Sequence, residues 1–367
     1  MGISRSFPTR TTVALALFGI VTVGCGAARP AEPGTPNAPA APVPRPSGEQ
    51  LLAISAVPRL QPAPKVQDYL DAVDLVQRAG AGASFESATW SDLDSPAGRA
   101  KLTGSLDNMG NRHGFDLLLG VKVIDTTVKA TPADLASAPF DSPELMRRFH
   151  ALIDTLKPGI NRRVRYLSIG NEVDAYLSAH PAQWEAYRGF YADAVGYVHS
   201  TLPGVSVGVT NTFEGARGPA ASKVAELNRL SDVEILTYYP LGPGFVPRPP
   251  STARADLAEM VALAGARPLV LQEVGYPSDA RLSSSEQAQA TFVAEVLTAW
   301  RAAGAKVGLL NWFALHDLTP DLCDKLAGYY GLPKDPNFAA YLCSLGLRRA
   351  DGTPKPAWQT LLDQQHR

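Results

Sequence analysis

Two glutamates stand where apolar runs break. Leu-Val-Leu-Gln-Glu-Val-Gly-Tyr-Pro-Ser, Leu269–Ser278, puts Glu273 at the end of a run that Gly275 and Pro277 stop. Leu-Ser-Ile-Gly-Asn-Glu-Val-Asp, Leu167–Asp174, puts Glu172 just behind Gly170 and Asn171. Short apolar runs of this kind suit strands buried on both faces. A carboxylate is costly to bury without a partner, so a glutamate at such a strand end is either paired or working. Two carboxyls that face each other across a cleft can divide the work, one donating a proton while the other, ionised, attacks or stabilises a cation. Cleavage of a glycosidic bond needs that pair. A gap of about 5 Å retains configuration, and a wider one admits water and inverts it. The plainer reading is two salt-bridged carboxylates at a strand rim.

Other side chains at apolar run ends could serve the same chemistry. Tyr239, in Leu-Thr-Tyr-Tyr-Pro (Leu236–Pro240), could donate a phenolic hydrogen bond to Glu273, or be a core aromatic. Asn171 could hold a sugar hydroxyl, or serve a turn after Gly170. Trp312 offers a flat apolar face for a sugar ring, or packs the barrel end. Trp90 and Lys122 end two further runs and complete the expected substrate-binding set. The six histidines form no ligand-spaced cluster, and Cys323 and Cys343 lack partners for zinc, so neither metal nor cofactor is expected.

The elements that must position these groups alternate. Strands are expected at 50–58, 82–90, 115–124, 164–169, 205–209, 233–239, 269–274 and 307–312. Helices are expected at 66–79, 99–112, 142–156, 184–202, 222–230, 252–263 and 285–302. The stretch after Trp312 reads as irregular until a last helix at 357–364. Eight strand–helix units in one domain, 49–367, favour a closed α/β (β/α)₈ TIM barrel over an open doubly wound sheet. So does the absence of a glycine-rich phosphate loop after the first strand. Chemistry in such barrels sits at the C-terminal strand ends, where strands four and seven face each other across the mouth.

Ile-Gly-Asn-Glu (Ile169–Glu172) together with Gln-Glu-Val-Gly-Tyr-Pro (Gln272–Pro277) resembles the retaining glycoside hydrolases of clan A. Leu236–Pro240 is similar to the sixth strand of the endo-galactanase family, and the seventh-strand turn to that of the β-1,3-glucanases. Lys355-Pro-Ala-Trp358 is similar to the way many such barrels end. The resemblance implies a (β/α)₈ barrel acting on β-linked oligo- or polysaccharide by double displacement, with Glu172 as acid/base and Glu273 as nucleophile. Glu172 should then hold its proton to higher pH than Glu273. The chain departs from the pattern: no arginine stands near the end of strand two, Lys122 stands near the usual strand-three histidine, and Thr237 replaces another histidine. These departures motivate two alternatives, a non-catalytic glycan-binding lipoprotein on a degenerate barrel and a transglycosidase.

The residues before 49 fall outside the strand–helix alternation. Arg5 and Arg10 precede an apolar run, Thr12 to Val23, that ends at Gly24-Cys25-Gly26. This describes a signal peptide over 1–24, too short to span a bilayer, with Cys25 placed for lipidation as in a bacterial lipobox. Residues 25–48 are rich in Ala and Pro and read as an extended tether. The expected location is the cell envelope, held to the membrane only through the lipid, or otherwise the medium. A formal net charge of -1 over 367 residues, with no basic run, speaks against nucleic acid as a partner and leaves carbohydrate. With Cys25 lipidated, Cys323 and Cys343 are an even pair for a disulfide in an exported protein, or else two free buried thiols.

Overall fold

The computed structural model describes residues 50–160 and 163–365. The expected signal peptide, the tether and Cys25 lie outside the described residues. The strands are β1 (Leu51–Ile54), β2 (Ala83–Thr89), β3 (Asp116–Asp125), β4 (Val164–Asn171), β5 in two segments (Ser206–Gly208 and Thr210–Thr212), β6 (Glu234–Tyr238), β7 (Leu269–Val274) and β8 (Val307–Trp312). All pair in parallel, and β1 closes the sheet onto β8. The first segment of β5 pairs with β4 and the second with β6, so the ring closes through a strand interrupted at Val209. A two-residue strand, Val128–Lys129, folds back on β3.

Around the ring run α1 (Val66–Arg78), α2 (Pro96–Leu106), α3 (Pro143–Leu156), α4 (Trp184–Thr201), α5 (Ala221–Asn228), α6 (Thr252–Ala264) and α7 (Glu286–Ala303). Their starts follow local chemistry. Ser95, Ser142 and Ser285 accept hydrogen bonds from the first turns of α2, α3 and α7, and Pro96 and Pro143 sit where a helix needs no backbone donor.

Alternation along each strand separates two cores. Leu51, Ala53, Ala83, Phe85, Leu118, Val233, Ile235, Val270 and Leu309 fill the barrel interior. Their neighbours, such as Leu117, Leu167, Leu236 and Leu271, face the helices. All ten residues of β3 are buried, so the apolar run of the sequence is a strand covered on both faces.

The C-terminal stretch, irregular by its sequence, is helical in the structure. Between β8 and the final helix stand α8 (Pro320–Tyr329) and α9 (Pro336–Cys343); the final helix is α10 (Pro356–Gln365). Cys323 and Cys343 are joined in a disulfide, Cα–Cα 5.9 Å, that ties α8 to α9. These two helices carry a third apolar cluster with Leu326, Phe338 and Leu342, and they stand over the barrel mouth.

Candidate active site

The mouth encloses a cavity of about 450 Å³ lined by both glutamates, Asn171, Lys122 and Tyr239. Each glutamate arrives there by a local break in its strand. In β4, Tyr166 packs on the interior cluster and Leu167 and Ile169 face outward. Gly170 then takes φ 96° and Glu172 φ 46°, both in the left-handed region. The reversal turns Asn171 and Glu172 together toward the mouth. In β7 the device is a bulge. Leu236 pairs with Leu271, but the next residue, Thr237, pairs with Glu273, and β8 shows the same slip. Gln272 reaches across the interior to Asn171 (Nε2 to Oδ1, 2.7 Å), while Glu273 also faces the cavity. Consecutive residues of a regular strand cannot share one face; the extra residue of a bulge allows it.

Thr237 links Glu172 to the strand that carries Glu273. Its hydroxyl donates to Glu172 Oε1 at 2.7 Å, and its backbone is the register partner of Glu273 on a neighbouring strand, about 4.8 Å away. Thr126 donates to the other oxygen of Glu172 at 2.8 Å. The Tyr239 phenol donates to Glu273 Oε2 at 2.8 Å.

Lys122 follows Leu118 and Gly120 by steps of two and so points up the interior, where its ammonium lies 3.2 Å from Asp125. Asp125 also accepts from Asn171 (3.2 Å) and from the Tyr329 hydroxyl (3.1 Å), which ties β3, β4 and α8 together.

Electrostatics follow from the desolvation of the two carboxyls. Burial pushes Glu273 up to about 7, helped by the charge of Glu172 and opposed by Lys122 and the Tyr239 phenol. Burial also raises Glu172, opposed by the hydroxyls of Thr237 and Thr126, with the Asp125 charge pushing the same way as burial. One proton on the pair near neutral pH relieves both the desolvation and the mutual repulsion. Behind the site Asp174, raised to about 6 by burial, accepts from the backbone and hydroxyl of Thr212 and holds the chain after Glu172 against β5.

Two expected substrate residues do not reach the cavity. Trp312 is 0% exposed and packs on Phe292 of α7; Trp90 is 2% exposed and meets Phe149 of α3 edge-on. Both are one step out of phase. Leu309 and Asn311 face the interior, so the next inward residue is Phe313; Ala83 and Phe85 face inward, so the next are Ser87 and Thr89. Phe313 and Thr89 line the cavity in their place. The two-residue period, applied from the strand interior outward, was the signal that finds them. Thr126, Thr237 and Asp125 were not expected as site residues; only their places at strand ends point to them. Neither were the side chains of α8 and α9.

No protein-family model matches the chain. No curated protein matches it either. Solved structures do. GH5_18 from Streptomyces cattleya, in complex with GlcNAc, superposes with a TM-score of 0.68 at 18% identity, over 88% of this chain and 80% of that one. An exo-β-1,4-mannosidase from Opitutaceae bacterium strain TAV5 gives 0.67 at 16% identity, over 87% of this chain and 59% of that one. A family 39 glycoside hydrolase from Bacteroides cellulosilyticus WH2 gives 0.58 at 15% identity, over 87% and 64%. At these identities the likeness is one of fold. The chain shares a (β/α)₈ barrel fold with these structures.

Proposed function

We propose that the chain is a retaining β-glycosidase in which Glu273 is the nucleophile and Glu172 the acid/base. One observation carries the reading: two half-buried carboxyls at the ends of β4 and β7 line one cavity, Glu172 held by Thr237 of the strand that pairs with β7. The carboxylate of Glu273, held by Tyr239, attacks the anomeric carbon. The bond to the leaving oxygen breaks, and that oxygen takes the proton of Glu172. Glu172 then removes a proton from water, which attacks the same carbon and frees Glu273. Lys122 and Asp125 act on both carboxyls in opposite senses, so the assignment of roles rests on the strand positions of the two glutamates and on the Tyr239 phenol at Glu273. Solved neighbours support carbohydrate as the substrate class: one holds GlcNAc, and a variant of it holds Manβ1-4GlcNAc.

The test is a 2-fluoro glycoside together with the anomeric outcome. The reagent should label Glu273, and the product should keep its configuration by NMR. A label elsewhere removes the nucleophile, and inversion removes the double displacement. For location, we propose that Cys25 carries a lipid that holds the barrel at a membrane surface through the tether. Cys25→Ala should release the protein to the medium, and retention of that variant at the membrane refutes the anchor.

A further inference from the structure

The cavity has two unlike halves. Toward β2, β3 and β4 it presents Thr89, Asp92, Lys122, Asp125 and Thr126, a set of hydroxyls, carboxylates and an ammonium. From the loop after β6 and from α8, α9 and their link come Leu241, Phe245, Leu326, Leu332, Phe338 and Leu342, beside three tyrosines of which Tyr329 spends its hydroxyl on Asp125. Leucine side chains offer no donor or acceptor. A sugar hydroxyl turned onto them would lose its water and gain nothing in return. The glycosyl part of any glycoside carries hydroxyls around its ring and suits the polar half. Only the leaving group is free to be apolar.

This half is a built wall. Phe245 packs against Phe338 with centroids 5.2 Å apart and stacks on Tyr341 at 5.7 Å. The disulfide ties α8 to α9. The far end of α8 is fastened across the mouth, where Tyr329 donates to Asp125 at 3.1 Å and Thr127 donates to the Tyr330 carbonyl at 3.1 Å. The wall is continuous with the cavity that holds Glu172, so a group leaving from that acid moves along it.

Resting on the glycosidase reading above, we propose that the apolar half is a leaving-group subsite for an alkyl chain, and that the substrate is an alkyl or lipid-like glycoside. Attack by Glu273 breaks the bond between the anomeric carbon and the alkyl oxygen. That oxygen leaves as an alcohol with the proton of Glu172, and water completes the cycle.

The test uses the purified chain with methyl and octyl β-glycosides of glucose, mannose, galactose and N-acetylglucosamine, the octyl compounds below their micelle concentration. For whichever sugar turns over, kcat/KM should be at least about 20-fold higher for octyl than for methyl, since seven added methylenes find partial burial. Leu332→Asn should cut that ratio at least tenfold. A disaccharide of the same sugar cleaved as fast as the octyl glycoside overturns the inference and leaves the glycosidase reading standing. If no glycoside turns over, that reading falls, and calorimetric binding decides the subsite alone. Octyl glycoside bound at least tenfold tighter than methyl, and weakened by Leu332→Asn, keeps it. Equal affinity, or hexanol bound as tightly as the octyl glycoside, removes it.

Discussion

Burial makes the ionised form of Glu273 unfavourable in the folded state. Its carboxyl is pushed up to about 7, chiefly by burial and then by Glu172, from 4.5 in the free side chain. Between those values the native state holds more protons than the unfolded chain. The stability associated with this group is therefore fully present below about pH 4.5 and is lost as the pH rises through about 7. Glu273→Gln removes the buried charge. It should raise Tm at pH 8 by roughly 2–6 °C, on the order of 1–2 kcal/mol, and change it little at pH 4.5, while abolishing turnover. Thermal scans at the two pH values check this, and a loss of stability at pH 8 would show the carboxylate to be structural. Glu172→Gln should cut kcat/KM on alkyl glycosides by about 10²–10⁴ and far less on dinitrophenyl glycosides, whose leaving oxygen needs no proton. Equal losses on both would deny Glu172 the acid role. The two glutamates were legible in the sequence because each ends an apolar run. Trp90 and Trp312 misled because a large aromatic at a strand end looks like a platform. Which face it takes depends on parity, and parity must be counted from the strand interior.

The elements aim the pair through backbone irregularities that a run of residue types does not display. Gln272 and Glu273 read as the end of a regular strand, and only the slipped register against β6 and β8 shows how both turn inward. Gly275 lies just beyond the bulge, where a Cβ would come within 2.6 Å of the Tyr239 ring and 3.0 Å of the Phe313 carbonyl. Gly275→Ala should therefore drive Tyr239 off Glu273. The expected cost is roughly 10–100-fold in kcat/KM and about 1–3 kcal/mol in stability. Tyr239→Phe added to Gly275→Ala should then cost little more, since the phenol has already been displaced. Additive losses in that double-mutant cycle would show that the glycine acts by another route. The helices over the mouth were missed for a related reason. With ten and eight residues, α8 and α9 are too short for a helical period to stand out, although Pro320 and Pro336 at their first turns and the Asp335 cap were readable signals.

In the whole molecule, the barrel supplies the carboxyls and the C-terminal extension decides what can lie beside them. The barrel has its own interior and its own helix-facing core, while α8 and α9 pack in a separate cluster over the mouth. The Cys323–Cys343 bond ties the two helices to each other, and the Tyr329–Asp125 hydrogen bond and the apolar contacts of Phe245 with Phe338 and Tyr341 hold them to the barrel loops. Closing a loop with a sequence separation of 20 removes unfolded-state entropy worth about 3 kcal/mol. Because the barrel core does not depend on this roof, loss of the bond should open α8 and α9 locally and spare the ring. Cys343→Ser should therefore leave the main thermal transition within a few degrees of the parent. It should speed hydrogen exchange across Pro320–Cys343 and lower kcat/KM most for substrates with an apolar leaving group. Limited proteolysis should cut first in the Tyr330–Asp335 link. If the barrel strands exchange as fast as the roof in that variant, the two parts unfold as one unit, and the wall is part of the scaffold rather than a separable subsite.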